Sequence, residues 1–237
     1  RGGCYVPFSL FYAAAASVGG PAFGYNVTQI VTLWLTLLFT WLLVRRYSRE
    51  RELGAVAAAI AILLPYPWIV ILDGSPTGLA MMLIPAICWG LDVLVAERKT
   101  WAGAVAGLGI LLAESDTHVF FFAVLTAPFW CLFSFLYHFP GRWPSGKDVR
   151  SILKASIPLL AFLAATGFLV WHIRRGIQET TLAETGRSAG EITLSSPPLA
   201  GVFRLENVGE GRKIYLGYYL VALLAGAACT VNKQSAP

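Results

Sequence analysis

The chain has 237 residues, of which 57% are hydrophobic and 13% are charged, and its formal net charge is +5. Soluble domains carry roughly 25% charged residues, so the composition excludes an ordinary soluble protein and favours one that lies within a membrane. Basic loops on one side of a membrane account for the small positive charge, and we therefore expect no nucleic-acid binding.

Apolar stretches that fit membrane helices, each of which needs about 20 residues, follow one another along the chain. The first, at 5–20, either spans the membrane at a tilt or enters one leaflet and returns, and a turn at Pro21 and Tyr25-Asn26 follows it. The later stretches predict helices at about 27–44, 54–72, 78–95, 101–113, 119–137, 152–171 and 214–228. We therefore predict an all-α protein, a polytopic transmembrane helix bundle with about 7–8 membrane helices in a single domain over 1–237.

The loops between these stretches alternate between basic and acidic or polar. Because short loops rich in Lys and Arg stay in the cytoplasm, the alternation predicts the membrane topology. We expect loops 45–53, 97–100 and 138–150 in the cytoplasm and loops 73–77, 114–118 and 173–213 outside it. The extracytoplasmic loop 173–213 carries several arginines, either because it binds an anionic head group or because its own glutamates neutralise them.

The most polar segment between two predicted membrane helices is Glu114-Ser-Asp116-Thr-His118. A carboxylate beside an imidazole can act as a general base, bind a divalent metal or hold a sugar hydroxyl. The alternative is a solvated loop in which Asp116 or Ser115 caps the following helix. The sequence has no second His, Asp or Glu at metal-ligand spacing nearby, so no cofactor is evident and a divalent metal has no support.

Asp73, in the turn after the third predicted helix, is a weaker candidate because Asp-Gly is common turn chemistry. Pro65 and Pro67 predict a kink near the outer end of that helix. The turns after the third and fifth predicted helices end at the same membrane face. We therefore expect Glu114, Asp116 and His118 to converge with Asp73 and the Pro65–Pro67 kink around one outward-facing cavity.

His172, Arg174 and Arg175 stand at the outer end of the predicted helix 152–171. Arginine grips phosphate oxygens in pairs, so these residues are candidates for binding a phosphate-bearing substrate. Alternatively, they anchor the helix end by extending their charged groups to the interface.

Two further polar residues have local explanations in the sequence. Asp92 lies about one turn before Glu97-Arg98-Lys99, which predicts a local ion pair. His138 is expected at the cytoplasmic interface.

Several short motifs together resemble bacterial polytopic proteins of the C-type glycosyltransferase superfamily. They are Pro21 with Tyr25-Asn26 opening a helix, the Pro-bearing third helix before a Gly-containing outer loop, Pro85, the Glu114–His118 turn, and Ser195-Ser-Pro-Pro-Leu199 followed by Tyr215-Leu-Gly217-Tyr. The resemblance implies an inverting enzyme, in the bacterial cytoplasmic (inner) membrane, that transfers a sugar from a polyprenyl-phosphate donor on the outer face. Its partners would be the lipid bilayer and that polyprenyl-phosphate sugar.

The superfamily's catalytic acidic residue lies in the first outer loop, which would precede Arg1 here. The chain begins without Met and ends soon after an apolar stretch, so we expect a fragment of a longer protein, and its catalytic residue stays unassigned. Two alternatives remain open: a transporter or flippase for a lipid-linked or anionic substrate, and a non-catalytic membrane subunit. A Pro-broken third helix without a later counterpart argues against transport, because transporters commonly repeat such features in two halves.

Overall fold

The computed structural model describes residues 6–48, 50–63, 80–141 and 144–178, and this part of the chain is helical, without strands. Its helices are α1 (Val6–Val44), α2 (Arg51–Leu63), α3 (Leu83–Glu97), α4 (Thr100–Ala113), α5 (Thr117–His138), α6 (Gly146–Ala155) and α7 (Ile157–Gln178). The chain divides into two compact units, one formed by Arg1–Leu63 with Pro67–Gly176 and the other by Leu64–Tyr66 with Ile177–Pro237. Apart from Ile177 and Gln178, every residue that the structure describes belongs to the first unit.

A kink divides α1 at Gly20, whose φ of 83° lies in the region that glycine tolerates and other residues rarely adopt. Pro21 then opens the second segment, where its missing N–H costs no helical hydrogen bond. The predicted break between the first two apolar stretches is therefore confirmed at this point. The predicted turn at Tyr25-Asn26 is wrong, because both residues lie inside the second helical segment.

The helices at the centre of the chain lie close to their predicted positions. α4 and α5 differ by no more than two residues at either end from the predictions at 101–113 and 119–137. α3 corresponds to the helix predicted at 78–95. α2 begins three residues before the helix predicted at 54–72, and the second half of that predicted helix lies outside the described residues.

The predicted helix at 152–171 is two helices, α6 and α7, which meet at an angle of 49° around Ser156. The first of them begins inside the stretch 138–150 that we predicted to be a loop. Ser145 starts it with a capping box: its hydroxyl accepts from the Asp148 N–H at 3.3 Å, while Asp148 Oδ2 accepts from the Ser145 N–H at 3.0 Å.

Two described helices are long and apolar enough to cross a membrane, Phe11–Val44 and His118–His138. A third crossing results if the bent pair of α6 and Ile157–Ile173 is counted as one span. Large apolar side chains are exposed along the outer sides of α1 and α5, among them Trp34, Phe129 and Leu136. Such surfaces fit contact with lipid. The described helices thus support a membrane protein, and the count of 7–8 spans stays a prediction.

The core lies around α3, which is buried on most of its surface, as is typical of a helix inside a bundle. It packs against α1, α4 and α5. The buried side chains between these helices include Ile87 and Leu91 of α3, Ala106 and Ile110 of α4, and Val119 and Ala123 of α5. This packing sets the C-terminal end of α3 beside the ends of α1 and α5.

Candidate functional site

Asp92, near the C-terminal end of α3, is fully buried, and its carboxylate accepts hydrogen bonds from four side chains. Its Oδ2 accepts from Arg46 Nε at 2.5 Å. Its Oδ1 accepts from Tyr47 Oη at 2.5 Å, from Ser134 Oγ at 2.7 Å and from His138 Nε2 at 3.0 Å. Because an ionised carboxylate only accepts, His138 carries a proton on Nε2. We call these five residues the Asp92 network.

Three helices contribute to the Asp92 network. Arg46 and Tyr47 lie in the turn that ends α1, and Asp92 comes from α3. Ser134 and His138 are four residues apart on α5, a spacing that puts both side chains on one helix face. The network therefore ties together the ends of α1, α3 and α5.

Ion pairs extend from this point along the same side of the bundle. Arg46 also binds Glu97 at the end of α3, and Lys99 Nζ lies 3.2 Å from the other oxygen of Glu97. Arg98 Nη2 lies 2.7 Å from Asp148 Oδ1 in α6. The hydrogen bond from Arg46 holds the pKa of Glu97 below its ordinary value. The structure thus brings together residues of all three loops that we predicted to be cytoplasmic.

Aromatic rings surround Tyr47. Their centroids lie 5.9 Å away for Trp130, 5.4 Å for Phe133 and 4.9 Å for Tyr137. Burial raises the pKa of the Tyr47 phenol, so the phenol stays neutral and keeps its proton to donate to Asp92.

This arrangement differs from what the sequence predicted. Asp92 forms its ion pair with Arg46, which is 46 residues away, rather than with the neighbouring basic residues, and Glu97 pairs with Arg46 and Lys99. His138 is a partner of Asp92 in addition to lying at a helix end. One signal in the sequence pointed toward this result: an isolated acidic residue in an apolar helix usually faces the bundle interior and a partner.

The chemistry open to the Asp92 network is limited by its own hydrogen bonds. A carboxylate offers about four acceptor positions, and the four donors already occupy that number. Three of the donors lie on Oδ1 and one lies on Oδ2, so a cation or a substrate hydroxyl would have to compete with them for the buried carboxylate. The network is therefore best explained as a connection between helices.

The turn between α4 and α5 contains the polar segment 114–118, which the sequence predicted as a candidate site. Asp116 is 4% exposed, and its Oδ1 accepts from the backbone N–H of His118 at 2.9 Å and of Val119 at 3.0 Å. Asp116 therefore caps the following helix, as one interpretation of the sequence predicted, although its side chain is buried and not solvated. Its role in binding a substrate stays a prediction. Ser115 instead donates to the Leu112 carbonyl at 2.7 Å.

The other members of that turn have different surroundings. The His118 side chain is 75% exposed, with its Nδ1 3.8 Å from Asp116 Oδ1. Glu114 is half-buried, and burial raises the pKa of its carboxyl. Asp73 and the Pro65–Pro67 kink lie outside the described residues, so their convergence with this turn stays a prediction. Within the described ranges, no three His, Cys, Asp or Glu residues are grouped so as to hold a metal ion.

A row of aromatic and basic side chains covers one face at the C-terminal end of α7. Phe168, Trp171, His172 and Arg175 have the spacing i, i+3, i+4 and i+7, and all four are exposed. His172 stacks on Phe168 with ring centroids 6.2 Å apart and planes 12° apart. The guanidinium carbon of Arg175 lies 5.7 Å from the centre of the Trp171 ring. We call these four residues the α7 face.

The predicted outer loop 173–213 begins later than expected, because α7 continues to Gln178. Arg174 and Arg175 are therefore helical residues, in contrast to the predicted loop. The description of Arg174 covers its backbone only, and residues 179–213 lie outside the described part of the chain.

Comparisons with protein-family models, with curated proteins and with solved structures found no match to this chain.

Proposed function

We propose that this chain belongs to a membrane glycosyltransferase of the C-type superfamily, in a bacterial inner membrane, and that it uses a polyprenyl-phosphate sugar as its donor. The observation that supports the proposal is the α7 face. Its four side chains combine a guanidinium, an imidazole and two exposed aromatic rings at the end of an apolar helix.

Each part of such a donor has a complement on α7. The donor phosphate is anionic, and a guanidinium binds phosphate oxygens through paired, charge-assisted hydrogen bonds. The imidazole of His172 supplies a further N–H donor. Trp171 and Phe168 offer flat apolar surfaces that suit the C–H face of a sugar ring, and Arg175 already lies over Trp171.

The polyprenyl chain would lie along the rest of α7. Ile157 and Leu160 are 62% and 55% exposed. Ile157 precedes Phe168 by about three whole turns, and Leu160 lies within about a quarter turn of the same side of the helix. Exposed small residues, Ala161 and Ala164, lie between them and the α7 face. A continuous apolar strip therefore leads to the aromatic and basic side chains at the helix end.

The described residues support the transport alternative less well. Their buried acidic side chain within an apolar helix is Asp92, whose two oxygens already accept four hydrogen bonds from protein side chains, so a transported cation would have to compete with them. Measuring sugar transfer by the complete protein distinguishes an enzyme from a non-catalytic subunit that binds the same lipid.

The proposal is tested by binding radiolabelled polyprenyl phosphate to the purified, full-length protein in nanodiscs. The matched probe is the polyprenol of equal length, which lacks the phosphate. We expect the phosphate-bearing lipid to bind at least about tenfold more tightly, since a charge-assisted hydrogen bond contributes roughly 1.5–3 kcal/mol. Equal affinity for the two lipids would remove the proposed donor. Binding without any sugar transfer would favour the non-catalytic subunit.

A further inference from the structure

α6 is a short helix with three different faces, and one of them holds it against the bundle. Asp148 on this face pairs with Arg98 at 2.7 Å. Ala155 is buried, and its carbonyl oxygen lies where a side chain on Gly103 would clash: a Cβ there would come within 2.7 Å of it. Only glycine permits this close approach of α4, so α6 is fixed at both its ends.

The second face of α6 is apolar and exposed. Val149 and Leu153 are one helical turn apart and are 42% and 59% exposed. Such exposure is unfavourable in water, because each large apolar side chain gains free energy when it leaves water.

The third face is basic, and it borders the apolar one. Lys147, Arg150 and Lys154 are all exposed. Their spacing of three, four and seven residues places them on one side of the helix, next to Val149 and Leu153. An apolar strip flanked by lysine and arginine is typical of helices that lie in a membrane interface.

The position of α6 in the fold supports the same conclusion. α6 meets α7 at an angle of 49°, and the two helices form a candidate span only together, as a bent pair. We take α7, the more apolar of the two, as the part that enters the membrane. A helix bent away from a span at its cytoplasmic end leaves the transmembrane direction at the level of the lipid head groups. The ion pairs among Arg46, Glu97, Arg98 and Asp148 lie at this same end of the bundle.

We propose that α6 is a lipid-binding helix: Val149 and Leu153 enter the acyl-chain region of the cytoplasmic leaflet, and Lys147, Arg150 and Lys154 bind the head groups of anionic phospholipids. The anionic lipid is the occupant that the charge favours, since each basic residue near an anionic surface strengthens binding roughly fivefold. This proposal is independent of the sugar donor and of the α7 face.

The test uses the full chain without its native cysteines, reconstituted in nanodiscs, with a fluorophore attached through Leu153→Cys. The matched control carries the fluorophore at Ser151→Cys, on the polar side of the same helix. Spin-labelled phosphatidylglycerol and spin-labelled phosphatidylcholine serve as quenchers from the membrane, and iodide serves as the quencher from water. We expect position 153 to be quenched by lipid and protected from iodide, and position 151 to show the opposite.

Lipid selectivity is the second measurement. At position 153, quenching by phosphatidylglycerol should exceed quenching by phosphatidylcholine at least about fivefold at low salt. The variant Lys147→Gln/Arg150→Gln/Lys154→Gln should lose this preference, whereas Lys147→Arg/Lys154→Arg should retain it. Circular dichroism of each variant checks that the helices remain folded.

Two results would overturn the proposal. Ready access of iodide to position 153 in the reconstituted protein would show that α6 faces water, which would favour a protein partner. Equal quenching by the two lipids in the unsubstituted helix would show that the basic residues do not select anionic head groups.

Discussion

Asp92 Oδ1 and His138 Nε2 lie 3.0 Å apart, although 46 residues separate them in the chain. The contact joins a fully buried carboxylate of α3 to the last residue of α5. Arg46 reaches the same carboxylate from the end of α1. One acidic side chain therefore fixes the relative positions of three helix ends, and its loss should affect the whole first unit.

Replacing that carboxylate should strongly destabilise the protein. We expect Asp92→Asn to lower the free energy of unfolding by about 3–5 kcal/mol, because it removes the buried carboxylate partner of Arg46 and leaves the more exposed partner, Glu97. The measurement is denaturant or thermal unfolding in detergent, followed by circular dichroism. Asp148→Asn is the control, since its pair with Arg98 is more exposed and should contribute only about 0–1 kcal/mol. Equal stability of Asp92→Asn and wild type would contradict this account of the network.

Glu97 should make stability depend on acid pH. Its ordinary pKa is 4.5, and the hydrogen bond from Arg46 lowers that pKa in the folded protein. Glu97 therefore contributes stability at pH values above 4.5, and this contribution disappears as the pH falls through the lowered folded value. The contribution is small because the side chain is 37% exposed. In unfolding measurements across this range, wild type and Glu97→Gln should differ most above pH 4.5 and converge in acid; a difference that stays constant with pH would contradict it.

The two polar residues at the start of α5 should behave differently when substituted. Asp116→Ala should cost about 1 kcal/mol of stability because it removes the cap from the helix, while Asp116→Asn should retain most of the cap. His118→Ala should change stability by less than about 0.5 kcal/mol, as expected for an exposed side chain. Both effects are measured by thermal unfolding. A stable Asp116→Asn variant that no longer binds the lipid donor would instead assign Asp116 to the substrate site.

The predicted topology places the two ends of α5 on opposite sides of the membrane. In a background without native cysteines, we expect Arg150→Cys to react with a membrane-impermeant maleimide only from the cytoplasm. His118→Cys, Arg175→Cys and Arg187→Cys should react only from the outside, because their segments alternate with the basic ones. Cells and inverted vesicles provide the two directions of labelling. Reaction of position 187 only from the cytoplasmic side would contradict the topology.

The sequence predicted those features that depend on local patterns. α4 and α5 are apolar runs bounded by polar residues, and the observed helices match them closely. The cap at Asp116 was one of two alternatives, because an acidic residue before an apolar run is a common helix start. The sequence analysis did not predict α6, because the basic residues at its start were interpreted as part of a cytoplasmic loop. The partners of Asp92 were missed because they come from positions 46, 47, 134 and 138, and no spacing within one segment connects them.

The arginines near the end of α7 should contribute directly to donor binding if the proposed function holds. We expect Arg174→Ala with Arg175→Ala to weaken the binding of polyprenyl phosphate at least about tenfold, which corresponds to the loss of one charge-assisted contact of roughly 1.5–3 kcal/mol. The protein should remain folded and inserted, because Arg175 is exposed and its contact with the Trp171 ring lies on the surface of α7. Arg45→Ala with Arg51→Ala, two exposed arginines that flank the turn between α1 and α2, is the control for a general loss of positive charge. Donor affinity measured on the purified full-length protein decides between the two accounts: an unchanged value for the Arg174 and Arg175 variant would leave these arginines as anchors of the helix end.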